Sequence, residues 1–271
     1  MIIILVRLKW VLAAVGLILF GYGCASPPPI PIASPEEIRR RDQAVGSEIA
    51  QQFESRLHFK KEQVVSIYLR KLATNLLDSN PELRRAPVGI WLVQNKHGKG
   101  KWTSYALPEN RIYLSTELLR GIKFENEIAA AIAIQLSHLV EKHALERFLK
   151  LQERKLEESM GSSFRGPPLW ETSAPVDYFG LDGVFAFSEQ AEISAAKMAI
   201  GLLYHAGFDS RGLVSLFQRF QNNSKHSPYE LSTINKIIET TRREIALQAP
   251  LRNPIVRSQA FVKIQKRMRE L

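Results

Sequence analysis

Positions 124–160 contain neither glycine nor proline. These are the two residues that interrupt helices most strongly, one through backbone entropy and the other through a missing N–H and a steric clash. The whole stretch is therefore predicted as one helical run, which excludes an all-β fold. Strands are predicted before it. Positions 88–94 (VGIWLVQ) read as a buried strand, Ser104–Leu107 and 112–114 as two short strands around Pro108-Glu109-Asn110-Arg111, and 96–101 as an exposed turn. Helix is predicted on both sides. Ser34 followed by Pro35 is a helix start that opens a charged amphipathic stretch running to about position 57. Val64, Ile67, Tyr68, Leu72 and Leu76 give helical spacing over 60–77. After a loop-like segment at 161–187, helices are expected at 188–205, 210–221, 232–247 and 258–271. The pattern is α+β, a helical majority with a small sheet.

The amino-terminal segment has a different character. Arg7 and Lys9 precede an apolar run at 10–20 that is short for a membrane span. The run ends near Cys24, the only cysteine in the chain, so no intramolecular disulfide can form. A lone cysteine after a signal-type run, with the small Gly23 before it, resembles the bacterial lipobox; Gly21 departs from the leucine usual there. This implies a signal peptide over 1–23, lipidation of Cys24 and an extended Pro- and Ser-rich tether over 24–35. Ala25, where an aspartate would signal retention, implies an outer-membrane lipoprotein facing the periplasm. The formal charge of +10 suits contact with anionic surfaces. It is spread along the sequence with no aromatic-studded basic stripe, so a nucleic-acid partner is not expected.

Within the long helical run lies Glu127-Ile-Ala-Ala-Ala-Ile-Ala-Ile134-Gln135-Leu136-Ser137-His138-Leu-Val-Glu-Lys-His143. It resembles the active helix of the HtpX-like and CAAX-prenyl-protease-like zinc metallopeptidases, whose pattern is ELAAVLAHEIGHVxxRH. Ser104-Tyr105-Ala106-Leu107-Pro108 with Arg111-Ile112-Tyr113-Leu114 is similar to that family's NAFALPGGYIYV. Positions 188–209, from Ser188-Glu-Gln-Ala-Glu192-Ile-Ser194-Ala-Ala196 to Ala206-Gly207-Phe208-Asp209, resemble its SREQEREAD…AGYD helix, and Leu231-Ser232-Thr233-Ile234 its LSTH segment. The resemblance covers about 45–271. It implies a mainly helical HExxH-metallopeptidase-like domain with a small β-sheet over 86–250, N-terminal helices over 36–85 and a C-terminal helical extension over 251–271.

In that family H-E-x-x-H places two imidazoles four residues apart on one helical face to hold zinc, and the glutamate takes a proton from the metal-bound water. Here the first ligand position holds Ile134 and the base position Gln135, which exchanges no proton near neutral pH. Ser194 stands for the third ligand, Ala196 for the aspartate two residues on, and Ile234 for the histidine of LSTH. His138 alone is retained. The resemblance therefore implies no catalytic residue and no metal site, with zinc expected only if His138, Glu141 and Glu192 form a rearranged ligand set. His58, His97 and His226 are read as surface residues, and His138 as a helix-face histidine bonded to a neighbour. The first functional expectation is a catalytically inactive lipoprotein with a binding, chaperone-like or regulatory role in envelope protein handling. It would be held to the membrane through Cys24 and engage polypeptide clients along a groove edged by Ser104, Tyr105, Ala106 and Leu107. The alternatives are an active zinc endopeptidase with relocated ligands and an anchored structural module contacting anionic envelope components.

Overall fold

The computed structural model describes residues 34–83, 87–95, 101–160 and 187–271. The apolar run, Cys24, the 96–100 part of the turn with His97, and 161–186 lie outside them. The chain divides into Met1–Ile38 and Arg39–Leu271. In the first unit Ser34 and Glu37 cap each other: the Ser34 N–H donates to Glu37 Oε2 (2.6 Å) and the Glu37 N–H to Ser34 Oγ (3.2 Å). Helix α1 (Pro35–Ser55) starts there and continues into the second unit.

The remaining elements, in order, are β1 (Leu57–Lys60), α2 (Gln63–Asp78), β2 (Gly89–Asn95), β3 (Ser104–Leu107), β4 (Arg111–Ser115) and α3 (Thr116–Gly121), then α4 (Glu125–Val140), α5 (His143–Met160), α6 (Glu189–His205), α7 (Arg211–Asn222), α8 (Leu231–Ala246) and α9 (Gln259–Arg269). The fold is α+β. The strands form one sheet in the order β1-β2-β4-β3; β2 and β4 are parallel and both outer pairs antiparallel. Strand β1 was not expected: its sequence, LHFK, lies in the gap between two predicted helices, and only pairing with β2 makes it a strand.

Alternation along the strands divides the core in two. Ile90, Leu92, Ala106, Ile112 and Leu114 face α2, α3 and α4. Val93, Tyr105, Leu107 and Tyr113 face Val45, Ile49 and Phe53 of α1 and Ala144, Leu145 and Phe148 of α5. A sheet covered on both faces must carry apolar side chains in both directions, which is why β4 reads as a continuous run.

Helix α4 is the centre of the first core. Every residue from Glu125 to Leu139 is buried, as expected of a helix apolar all round. Its acidic first turn is satisfied locally. Glu127 Oε2 accepts the Lys123 and Phe124 N–H groups (2.8 and 3.2 Å), and Oε1 accepts from Ser215 Oγ (2.5 Å) and Arg219 Nε (2.8 Å). Glu125 accepts from Tyr68 Oη at 2.8 Å and from the Ser258 N–H. The carbonyl of Val256 takes the N–H groups of Glu125 and Asn126 (3.0 and 3.3 Å). At Gly212 a Cβ would lie 2.4 Å from the Asn126 carbonyl oxygen, so only glycine lets α7 sit directly on this turn.

The long run is not one helix. It breaks after Val140, where Glu141 is the C-cap and Lys142 has a φ of 57°. A left-handed residue turns the chain sharply, and glycine would ordinarily mark the spot. A lysine there costs about 1–3 kcal/mol of backbone strain, and no breaker residue signals it in the sequence.

Candidate functional site

Helix α4 carries Ile134, Gln135 and His138 towards the start of α6, which brings Glu192 and Ser194; β3 lies alongside. Ile134 is 3% exposed and belongs to the apolar core. Ala196 and Ile234 are likewise buried apolar side chains, Ile234 in the first turn of α8.

Gln135, 2% exposed, spans from α4 to the sheet: its Nε2 donates to Ser104 Oγ at 2.8 Å, while its Oε1 has no hydrogen-bond partner. Ser104 and Ala106 point to the same side of β3, towards α4. Strand β3 is the last in the sheet order, so no described strand pairs with its outer side. Its Tyr105, Ala106 and Leu107 are buried and Ser104 is half-buried.

His138 is 1% exposed and sits between three groups. Its Nε2 is 3.3 Å from Glu192 Oε2, its Nδ1 is 2.9 Å from His143 Nδ1, and the Phe187 ring stacks on it at 4.0 Å between centroids, tilted by 19°. The contact with His143 depends on the break at Lys142. In a continuous helix two side chains five residues apart point about 140° away from each other. The turn folds His143 back. Beyond it, His143 Nε2 is 3.5 Å from Glu141 Oε2, and Glu141 Oε1 accepts from Ser194 Oγ at 2.5 Å. The five polar side chains form a chain: Glu192, His138, His143, Glu141, Ser194.

Proton counting limits this chain. Two neutral imidazoles carry two N–H groups, and one is used between the rings. A single N–H is left for two carboxylates, and Glu141 Oε2 is the oxygen without a hydrogen-bond partner. Burial, and after it the neighbouring His138, hold His143 below the usual histidine range, although Glu141, Glu146 and Glu192 oppose this. Tyr229, which precedes α8 and packs on Phe217 and Phe220, has a hydroxyl pushed well above its ordinary range by burial, with Glu192 and Tyr105 adding to the shift.

A zinc site normally takes three or four nitrogen, sulfur or carboxylate donors. Of the positions that would supply them, Ile134 has no donor atom, Ser194 offers a hydroxyl already bonded to Glu141, and His138 has both ring nitrogens engaged. The residues do not fit the metal. Among the described residues no group of three or more His, Cys, Asp or Glu side chains is placed to hold an ion.

A pocket of about 420 Å³ reaches His138 from the far end of β3, bounded by Pro108, Glu109, Leu139, Lys142, Leu145 and Arg39. Glu109 and Asn110, with φ of 63° and 58°, make the tight turn that forms its rim. Sequence reasoning did not find Phe187, Tyr229 or the role of His143. A histidine five residues after another has meaning only once the helix break is known. His58 is exposed on β1, as expected, but His226 is half-buried and stacks on Trp102 at 5.9 Å. Tertiary packing, not local polarity, places it there.

Residues 94–241 match the profile of peptidase family M48. The chain is 23% identical over 194 residues to a beta-barrel assembly-enhancing protease of Yersinia pestis, covering 69% of this chain and 39% of that protein. It is 21% identical over 199 residues to the protein of the same name from Escherichia coli (strain K12), covering 70% and 40%. The chain thus spans about two-fifths of the length of these curated relatives. Among the described residues no helix is long and apolar enough to cross a membrane.

Proposed function

The chain belongs to peptidase family M48, and from that footing we propose that it is a non-catalytic member that binds extended polypeptide clients in the bacterial envelope. Its role would be chaperone-like or regulatory, as an outer-membrane lipoprotein held by Cys24 and facing the periplasm. The observation that carries this reading is the bond from Gln135 to Ser104. Where a peptidase of the family needs a carboxylate free to take a proton, this chain has an amide committed to bracing the edge strand. The neighbouring polar groups are committed too: Glu192, His138 and His143 are bonded in sequence, and Glu141 accepts from Ser194 while its Oε2 lies 3.5 Å from His143. What persists is an outer strand with one side unpaired by any described strand, next to a pocket. That arrangement suits strand addition, in which main-chain bonds give affinity and side-chain pockets give selectivity. The relatives' name, with its reference to β-barrel assembly, suits clients that present unpaired strands.

A second reading, hydrolysis with relocated ligands, draws on the convergence of His138, Glu141 and Glu192. It would require His138 and Glu192 to give up their mutual bond and would still lack a separate base. The test is zinc analysis of the purified full chain beside a casein hydrolysis assay and fluorescence titration with an extended, strand-forming peptide. We expect zinc well below one equivalent, no hydrolysis and saturable peptide binding that a bulky substitution such as Ser104→Arg weakens. Stoichiometric zinc with hydrolysis would establish the second reading instead.

A further inference from the structure

The positive charge that looks dispersed along the sequence is gathered by the fold. Helix α9 buries Phe261, Ile264 and Met268 and turns Lys263, Lys266, Arg267 and Arg269 outward. It lies against α2 and α3. Two links fix its direction. Arg267 pairs with Glu62, the N-cap of α2, at 3.1 Å, while Ser258 at the other end shares Glu125 with Tyr68. The two helices therefore run antiparallel, and their outer sides form one surface with β1 beside it. On this side α2 exposes Arg70 and Lys71, and the link from β1 to α2 exposes Lys60 and Lys61. Over 57–71 and 258–271 eight basic side chains stand against two acidic ones, Glu62 and Glu270, and Glu62 is already paired.

The same surface is also apolar. Of the seven large hydrophobic side chains exposed among the described residues, three lie on α2 and α9: Val64, Ile67 and Val262, 43%, 51% and 49% exposed; Phe59 of β1 turns to the other face of the sheet, against Tyr113. Exposed aliphatic side chains are ordinary when scattered singly, but here three stand among lysines and arginines on two packed helices. An anionic bilayer has use for both: its surface potential attracts the ammonium groups and its headgroup boundary takes up the aliphatic ones. Nucleic acid would use the charge, but none of these three apolar side chains offers a ring for a base to stack on.

We propose that the outer face of α2 and α9, with β1 at its margin, is a docking surface for anionic phospholipid bilayers. It does not depend on the peptide-binding reading, and it would fix which way the sheet edge points relative to the membrane. Each basic side chain at such a surface raises the membrane partition coefficient roughly fivefold, so salt should reverse the effect through screening.

The test is lysine acetylation followed by mass spectrometry on the full chain mixed with two kinds of vesicle, phosphatidylcholine alone and phosphatidylcholine with one-quarter phosphatidylglycerol. An anchor at Cys24 would act equally in both, so only the difference between them counts. The expected result is several-fold protection of Lys60, Lys71, Lys263 and Lys266 on the anionic vesicles alone, lost in 0.5 M sodium chloride. Lys197, exposed on α6, should label equally throughout. In the variant Lys71→Glu/Lys263→Glu/Lys266→Glu, with its melting temperature checked, protection of Lys60 should vanish. Should the variant not fold, the salt dependence in the wild type decides the matter. Equal labelling on the two vesicle types, protection that extends to Lys197, or protection by a single-stranded oligonucleotide and not by anionic vesicles would each overturn the proposal.

Discussion

Gln135 and Ser104 are joined side chain to side chain at 2.8 Å, across the junction of the central helix and the outer strand of the sheet. Ser104→Ala would leave the Gln135 amide buried with neither end bonded. We expect a loss of about 1–3 kcal/mol in unfolding free energy, the usual cost of a stranded buried polar group. Adding Gln135→Leu should recover most of it, because both partners are then removed. A denaturant-unfolding double-mutant cycle checks this; additive losses would show that the bond contributes nothing.

Restoring the family's residues tests the placement of the site. Ile134→His, Gln135→Glu, Ser194→Glu and Ala196→Asp together would set two imidazoles on one face of α4 and a carboxylate across from them on α6. Without metal, the new buried polar groups should lower the melting temperature. Zinc at a hundred times its dissociation constant should then add about 2.7 kcal/mol, since it binds only the native state. The wild type should show no zinc-linked change in calorimetry. A folded quadruple variant indifferent to zinc would place positions 134 and 194 in different pockets.

Much of this arrangement is legible in the sequence. The burial of α4 follows from its mainly apolar sequence, Ile128–Ile134 above all, and α6 starts where its sequence suggests, capped by Ser188, which accepts the Ala191 N–H at 3.2 Å. Residues 134, 138 and 194 can be paired with the family's ligand positions by motif alone. The helix break at Lys142 could not be read, because left-handed backbone at a lysine is imposed by packing and not by preference. Everything that depends on it, including the His138–His143 contact, was hidden with it. Strand β1 was hidden for a similar reason: a four-residue strand is defined by its neighbour.

The shift at His143 has a sign that can be measured. Its folded pKa lies below its ordinary value of 6.5. Just below pH 6.5 the unfolded chain takes up a proton that the folded chain resists, so stability falls as pH falls through that window and is fully present above it. One such group contributes at most about 1.4 kcal/mol per pH unit. His143→Phe, which keeps a ring near Phe187, should flatten the stability profile between pH 5 and 6.5 relative to wild type. An unchanged slope would assign the dependence to another group.

Lipidation is tested at Cys24 itself. Cys24→Ala should release the protein from membranes or leave an unprocessed precursor of higher mass. Fractionation and migration identical to wild type would remove the anchor from the proposed function.

The two carboxylates that open α4 hold two different later segments of the chain. Glu127 holds α7 through Ser215 and Arg219, whereas Glu125, with the backbone amides beside it, clasps the stretch around Val256 and Ser258. The final helix is thereby fastened to the most deeply buried part of the molecule. Trimming the chain back to position 250 as a dispensable tail would uncap the central helix at its starting turn. A shortened version would then be expected to lose solubility and cooperative unfolding, not merely its last helix.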